Sequence, residues 1–292
     1  MSASVYADYR VQPRKRSPFG SMVLMLFLLV VAVFMLVPMV YMVVNAFKPI
    51  DELLLFPPRF YVMRPTLQNF TDLVLAASAT VVPFSRYIFN STYITVMVVG
   101  VTILIGSMAG YALSNKHKFP GQGAFFTVVV SAMMFAPEVT TIPRYLIVNG
   151  LHMIDTYWAL IIPPLAAPYA VFLMKQFIDG IPTELLEAAR IDGANQWTLF
   201  WKIIMPGAQS AWATLAITSF IGTWNDAFGP LVFTRREVMR TLPLAIFTIG
   251  GGVARLGALS AALLLMTAPP IIIYTLLQAR VLESMTYSGI KS

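Results

Sequence analysis

Cysteine is missing from all 292 residues. That excludes disulfides, thiolate metal sites and Cys nucleophiles, and says little about compartment. Charge is scarce too. Only 11% of residues are Asp, Glu, Lys or Arg, against about a quarter in a soluble domain. The two histidines, His117 and His152, are 35 residues apart and fall on opposite sides of the topology derived below. A shared metal site is therefore not expected. The 20 Lys and Arg leave a net charge of +7 but are scattered between apolar runs. They form no stripe, so nucleic acid is not an expected partner. Gly289-Ile290-Lys291-Ser292 resembles the end of a phosphate-binding loop, yet lacks the preceding glycine spacing and any following helix. No catalytic constellation is visible.

Apolar residues fill the space instead, at 58% of the chain. A soluble core of this size does not hide so much apolar surface, so lipid is the natural solvent. A helix crossing a bilayer core needs about 20 mostly apolar residues. Six stretches of 19 or more residues carry no Asp, Glu, Lys or Arg: Ser17 to Phe47, Tyr87 to Asn115, Phe119 to Pro137, Thr156 to Met174, Ile203 to Asn225 and Leu256 to Ala279. None alternates as a barrel strand does, and backbone groups in lipid must be satisfied within the segment. The expected fold is all-α: a polytopic membrane protein of six transmembrane helices. The first run is longer than the apolar core of a signal peptide and reads as an uncleaved anchor. A seventh run, Thr241 to Ala254, is too short to span. With Gly250, Gly251 and Gly252 it reads as a short helix and a loop.

Six spans put both termini on one side. Arg14, Lys15 and Arg16 abut the first span, and the tight Lys116-His117-Lys118 turn abuts two more. Short basic loops near span ends stay inside. Both termini are therefore expected in the cytoplasm. The division is 1–16 inner tail, 17–47 first span, 48–86 outer segment, 87–281 five-helix core with a cytoplasmic loop at 176–206, and 282–292 inner tail. Gly100, Gly106 and Gly110 in the second span are expected to allow close helix packing.

The inner loop is the most informative stretch. Pro182 suits a first helical turn, Glu184 and Glu187 favour the positive end of a helix dipole, and Gly193 suits a left-handed terminus. A helix from Pro182 to Asp192 follows. Asn195 is placed to cap a second helix, and Pro206 marks the junction with the fifth span.

These residues carry a resemblance. Glu187-Ala188-Ala189, then Gly193, then Ile203-Ile204-Met205-Pro206 is similar to the EAA loop of ABC importer permeases, with Met205 where Leu is usual. Asn90-Ser91, Ala109 to Ser114, Phe119-Pro120-Gly121, Thr156-Tyr157-Trp158 and Gly222 to Asp226 with Pro230 resemble the carbohydrate, maltose-type branch of that binding-protein-dependent family. The resemblance covers roughly Asn69 to the C-terminus and implies a type I importer permease fold. It implies a coupling helix that sits in a cleft of an ATPase subunit, with Glu184, Glu187, Ala188, Ala189, Arg190, Asp192, Gly193 and Pro206 as its coupling residues. It implies a second permease subunit, an ATPase dimer docking on 182–206, and a periplasmic solute-binding protein. The chain binds no cofactor on this reading, and ATP and Mg belong to the ATPase. Trp224, Asn225 and Asp226, with Asn90, are implied to line the translocation path or its outer gate. Interfacial anchoring is the other reading of Trp224. Glu138, beside Pro137, reads as an outer-end residue rather than a functional charge. The implied function is transport of a sugar or sugar derivative by alternating access. Two other classes have less behind them. An ion-coupled secondary transporter would usually show embedded carboxylates and an internal repeat, and a membrane enzyme would need a polar cluster within its spans.

Overall fold

The computed structural model describes residues 18–78, 82–116, 119–248 and 256–288. Arg14, Lys15, Arg16, His117, Lys118, the Gly250–Gly252 run and the last four residues lie outside them. Among the described residues every regular element is helical.

Helix α1, Pro18–Ala46, contains no charge, and its side chains are exposed from 18 through 40. A helix apolar on every face has lipid as its solvent. It packs along one other long helix, α15, Leu256–Ser288, which continues into the stretch expected as a tail. Between them, α2 (Ile50–Leu53) and α3 (Gln68–Ser78) fold the outer segment. Asn69 donates its amide to the carbonyls of Ala46 at 2.9 Å and Lys48 at 2.7 Å. These acceptors at the end of α1 would otherwise lack a donor.

The centre of the fold is α4, Phe84–Ala112. It touches α3, α7, α8, α12 and α14, and its buried face is partly polar: Asn90, Ser91, Thr95, Thr102 and Ser107. Glycine decides how close α8 comes. A Cβ on Gly110 would sit 2.7 Å from Met174 Cβ, and one on Gly106 would sit 3.1 Å from Ala170 Cβ. Gly100 faces open space, so the expected close packing holds for two of the three glycines.

The remaining runs depart from straight spans. The run Phe119 to Pro137 forms α5 (Gln122–Ala132), and α6 (Pro137–Gly150) starts at its last residue and meets α5 at 105°. Ala136 is extended, with φ −64° and ψ 139°. A residue before proline is pushed out of the α region by the ring, so the helix cannot run through. The run Thr156 to Met174 becomes α7 (Tyr157–Leu165) and α8 (Pro168–Asp179), bent by 44° beside Pro163, Pro164 and Pro168. Helix α12, Gln209–Trp224, has 16 residues, about 24 Å at 1.5 Å per residue. Among the described residues three helices are long and apolar enough to cross a membrane alone, or up to five if each bent pair counts as one span. The expected six spans are thus not matched one for one. The Thr241 run does form a short helix, α14, Leu242–Thr248.

Candidate functional site

The inner loop is two short helices at a bend. Helix α9 is Thr183–Ile191, with Pro182 one residue outside it as N-cap. Gly193 has φ +83°, the left-handed conformation that ends the helix. Asn195 Oδ1 accepts from Thr198 N at 2.8 Å and caps α10, Gln196–Leu199. A π turn, Phe200–Ile204, and α11, Met205–Gly207 with Pro206 exposed, then lead into α12.

Leu186, 1% exposed, anchors α9 in a cluster with Ile178, Leu199, Ile204 and Leu215. Ala189, half-buried, lies on the same side. A second apolar face, Leu185, Ala188 and Ile191, points away at three-residue spacing. Ile191 is 87% exposed and Leu185 54%. Glu184, Glu187, Arg190 and Asp192 are exposed beside it. This outward stripe escaped the sequence reading, although Leu185 and Ile191 are visibly out of phase with Leu186.

The loop is fixed to α4 by a residue the sequence reading did not single out for this role. Tyr111, in the last turn of α4, donates its hydroxyl to Gln196 Oε1 at 3.0 Å and lies beside the Arg190 guanidinium. Next to it, Lys175 Nζ pairs with Asp179 Oδ2 at 2.6 Å and lies 4.6 Å from the centre of the Phe126 ring. Asp179 Oδ1 accepts from Asn115 N at 2.7 Å, closing α8 onto the end of α4.

The residues implied for the path lie toward the other end of α4 and are not gathered in one place. Asn90 is fully buried. It donates to the Val238 and Arg240 carbonyls at 2.7 and 2.8 Å and accepts from the Tyr157 hydroxyl at 2.7 Å. Trp224, 5% exposed, stacks on Phe220 at 5.6 Å and donates to the Met266 carbonyl of α15 at 2.9 Å. Asn225 is exposed and ends α12. Asp226 accepts from Gly229 N at 3.0 Å at the start of α13, Phe228–Phe233.

Asp226 also borders a cavity of about 310 Å³ between α4, α7, α8, α12 and α13. Thr102 and Thr241 border it too, and their hydroxyl oxygens are buried without a hydrogen-bond partner. Glu138 and Arg144 line a neighbouring cavity that shares Asp226. Among the described residues no three His, Asp or Glu side chains are grouped to hold a metal.

The family described as "Binding-protein-dependent transport system inner membrane component" matches residues 102–287. The chain belongs to that family. The matched stretch contains the 182–206 loop, the break between α7 and α8, and both bordering threonines. The arabinooligosaccharides transport system permease protein AraQ of Halalkalibacterium halodurans is 31% identical over 285 residues, covering 95% of this chain and 99% of that one. The sn-glycerol-3-phosphate transport system permease protein UgpE of Yersinia enterocolitica is 32% identical over 199 residues, 67% of this chain and 70% of that one. The fold is that of a solved bacterial ABC transporter involved in the import of the acidic polysaccharide alginate. There the TM-score is 0.71 at 21% identity, over 89% of this chain and 96% of that one. The protein is thus a membrane-spanning permease subunit of an ABC importer, not an ion-coupled transporter.

Proposed function

We propose that this chain is one half of the pore of an ATP-driven importer in a bacterial inner membrane, passing a sugar or sugar derivative to the cytoplasm. The observation that carries the coupling role is the doubled apolar face of α9. One face, Leu186 and Ala189, seats the helix on its own chain. The other, Leu185, Ala188 and Ile191, lies exposed among Glu184, Glu187 and Arg190. An apolar stripe edged with charge suits a protein cleft better than water or lipid.

An ATPase dimer docks on the 182–206 loop and holds the ATP and Mg itself. A second permease subunit completes the pore, lipid covers α1, and a periplasmic binding protein delivers the solute. Both termini then lie in the cytoplasm, and 48–86 faces the periplasm. The binding protein and ATP each favour one conformation of the pore through differential affinity, which gives alternating access. The substrate class follows relatives whose names carry arabinooligosaccharides and sn-glycerol 3-phosphate.

The coupling role is tested with Glu187→Lys and Gly193→Asp in the assembled complex. Both variants insert and assemble, yet uptake is lost and the loaded binding protein no longer stimulates ATP hydrolysis. Normal uptake and normal stimulation in both would remove the role. The substrate class is tested by ligand binding to the cognate binding protein, and affinity for no sugar or sugar derivative would refute it.

A further inference from the structure

The segment joining α1 to α3 is inside out for a loop in water. Its two buried residues, Lys48 and Glu52, are charged. Lys48, 2% exposed, donates Nζ to Asn45 Oδ1 at 3.2 Å and to the Arg59 carbonyl. Glu52, 6% exposed, accepts from the backbone nitrogens of Met63 and Arg64 at 3.0 Å each. These bonds fold the segment back on itself. Leu54, Phe56, Phe60, Tyr61 and Met63 are left exposed, Phe56 at 94%. Charges held inside and apolar side chains turned out are the reverse of what water selects. We propose that this segment is a membrane foot, with residues 54–63 resting in the headgroup–acyl boundary of the lipid leaflet at the C-terminal end of α1.

Helix length gives the depth. The 29 residues of α1 measure about 43 Å at 1.5 Å per residue. The hydrocarbon core is about 30 Å thick, and about 40–45 Å with the headgroup regions. A helix centred on that core carries roughly its last turn among the headgroups. Tyr41 lies just inside that turn, so it sits at the boundary. The Phe60 ring packs on the Tyr41 ring with centres 5.4 Å apart, and Lys48 Nζ lies 5.5 Å from the centre of the same ring. After leaving α1 the chain therefore turns back along it. Its apolar tip comes down to the boundary instead of standing out in water.

The side chains match lipid as the partner. Aromatic rings with one polar edge collect where acyl chains meet headgroups, and arginine reaches from there to phosphate oxygens. Arg59 lies over the Tyr61 ring at 5.9 Å, and both are exposed. The patch is also continuous with a surface that has lipid as its solvent. Phe60 and Tyr41 join it to α1, whose side chains are exposed on every face through residue 40. A binding protein that docks and leaves in each cycle would return Phe56 to water every time, whereas lipid covers it throughout. A large exposed apolar patch needs such a cover.

This chain has no native cysteine, so a single reporter can be placed in it. Phe56→Cys is made in the complete transporter, in a background whose other subunits carry no reactive cysteine, and is labelled with bimane. Phe56 touches so little of its own chain that the substitution leaves the fold intact. Tyr61→Cys gives a second reporter on the same tip. The complexes are placed in phosphatidylcholine bilayers carrying brominated acyl chains, and iodide is added to the water. The foot predicts that both reporters lose most of their emission to the brominated lipid. Bromines near the headgroup end of the chain should quench more than bromines near its methyl end. Iodide should quench severalfold less than it quenches bimane on free cysteine. Adding the loaded binding protein and ATP should change none of this. Quenching by iodide without quenching by lipid would place the tip in water and overturn the foot. Shielding from both quenchers would mean that a second permease subunit covers the tip, and would overturn it as well. So would lipid quenching that disappears when the binding protein docks, since that protein would then be the occupant.

Discussion

The Tyr111 hydroxyl meets Gln196 Oε1 at 3.0 Å across 85 residues of sequence, joining the end of the central helix to the second helix of the 182–206 loop. With Arg190 beside the same hydroxyl, one side chain holds both α9 and α10. Leu186 and Leu199 supply apolar anchoring in the same cluster as the Tyr111 ring. The ring therefore fixes the loop by packing, and the hydroxyl fixes its register. Tyr111→Phe keeps the packing and removes the register. The expected loss is about 1 kcal/mol of local stability, too little to unfold the subunit. Sugar taken up per ATP hydrolysed should fall, while expression and complex assembly stay normal. Paired uptake and ATPase assays read this, and an unchanged ratio would show that the hydroxyl is dispensable.

Two glycines ten residues apart on α4 should respond with opposite signs. At Gly110 an added Cβ meets Met174 Cβ at 2.7 Å and the Lys175 backbone nitrogen at 2.9 Å. Backbone cannot swing aside, so Gly110→Ala should cost about 1–3 kcal/mol as overpacking. At Gly100 nothing lies within 4 Å. Gly100→Ala then only removes backbone freedom from a helix interior, and should stabilise by about 0.5–1 kcal/mol. Thermal unfolding of the two variants in detergent distinguishes them.

Some of this was legible in the sequence because it is local. Gly193 and Asn195 were readable because a left-handed terminus and an N-cap are decided within a few residues. Counting charge-free runs could not reveal the 105° turn at Ala136, because the run ends at Pro137 and α6 beyond it carries Glu138 and Arg144, so its helix fell outside the count. Small residues at helical spacing did not say which face meets a neighbour, so Gly100 read like Gly106 and Gly110. Tyr111 with Gln196, Asn90 with Val238, and the unmet hydroxyls of Thr102 and Thr241 are pairings or absences between distant segments. No spacing rule contains them. A tryptophan near a span end does not announce, either, that its indole donates to Met266 on the last helix.

Gly193 tests backbone conformation separately from contact. Its φ is +83°, and a Cβ there would meet nothing within 4 Å. Any penalty is therefore conformational. Gly193→Ala should cost about 1–2 kcal/mol, and Gly193→Asn less, since its short polar side chain tolerates the left-handed region. Melting temperatures should rank glycine above asparagine above alanine. The same open space means that a loss of uptake in Gly193→Asp would come from charge and backbone conformation at the end of α9, not from a clash inside the subunit.

At the far end of the molecule Asp155 staples the turn before α7 to the segment after α13. Its Oδ1 accepts from the backbone N–H groups of Arg235 and Arg236 at 3.0 Å, and Oδ2 pairs with the Arg236 guanidinium. Burial by itself would raise the Asp155 pKa, but the two backbone donors and the Arg236 cation outweigh it and hold it below the usual carboxylate value. A carboxyl with a lower pKa in the folded state binds protons more readily when unfolded. Its stabilising contribution is thus complete above the ordinary carboxylate value, about 3.9. It is lost as pH falls through that value toward the lower folded one. Melting temperature should drop over this acidic window in the wild type. Asp155→Asn keeps an acceptor for the backbone donors but abolishes the charge. The variant should be less stable at neutral pH, and the gap should narrow as the wild type protonates. A gap that stays constant down to the acid limit would show that the Asp155 charge does not stabilise this end of the fold.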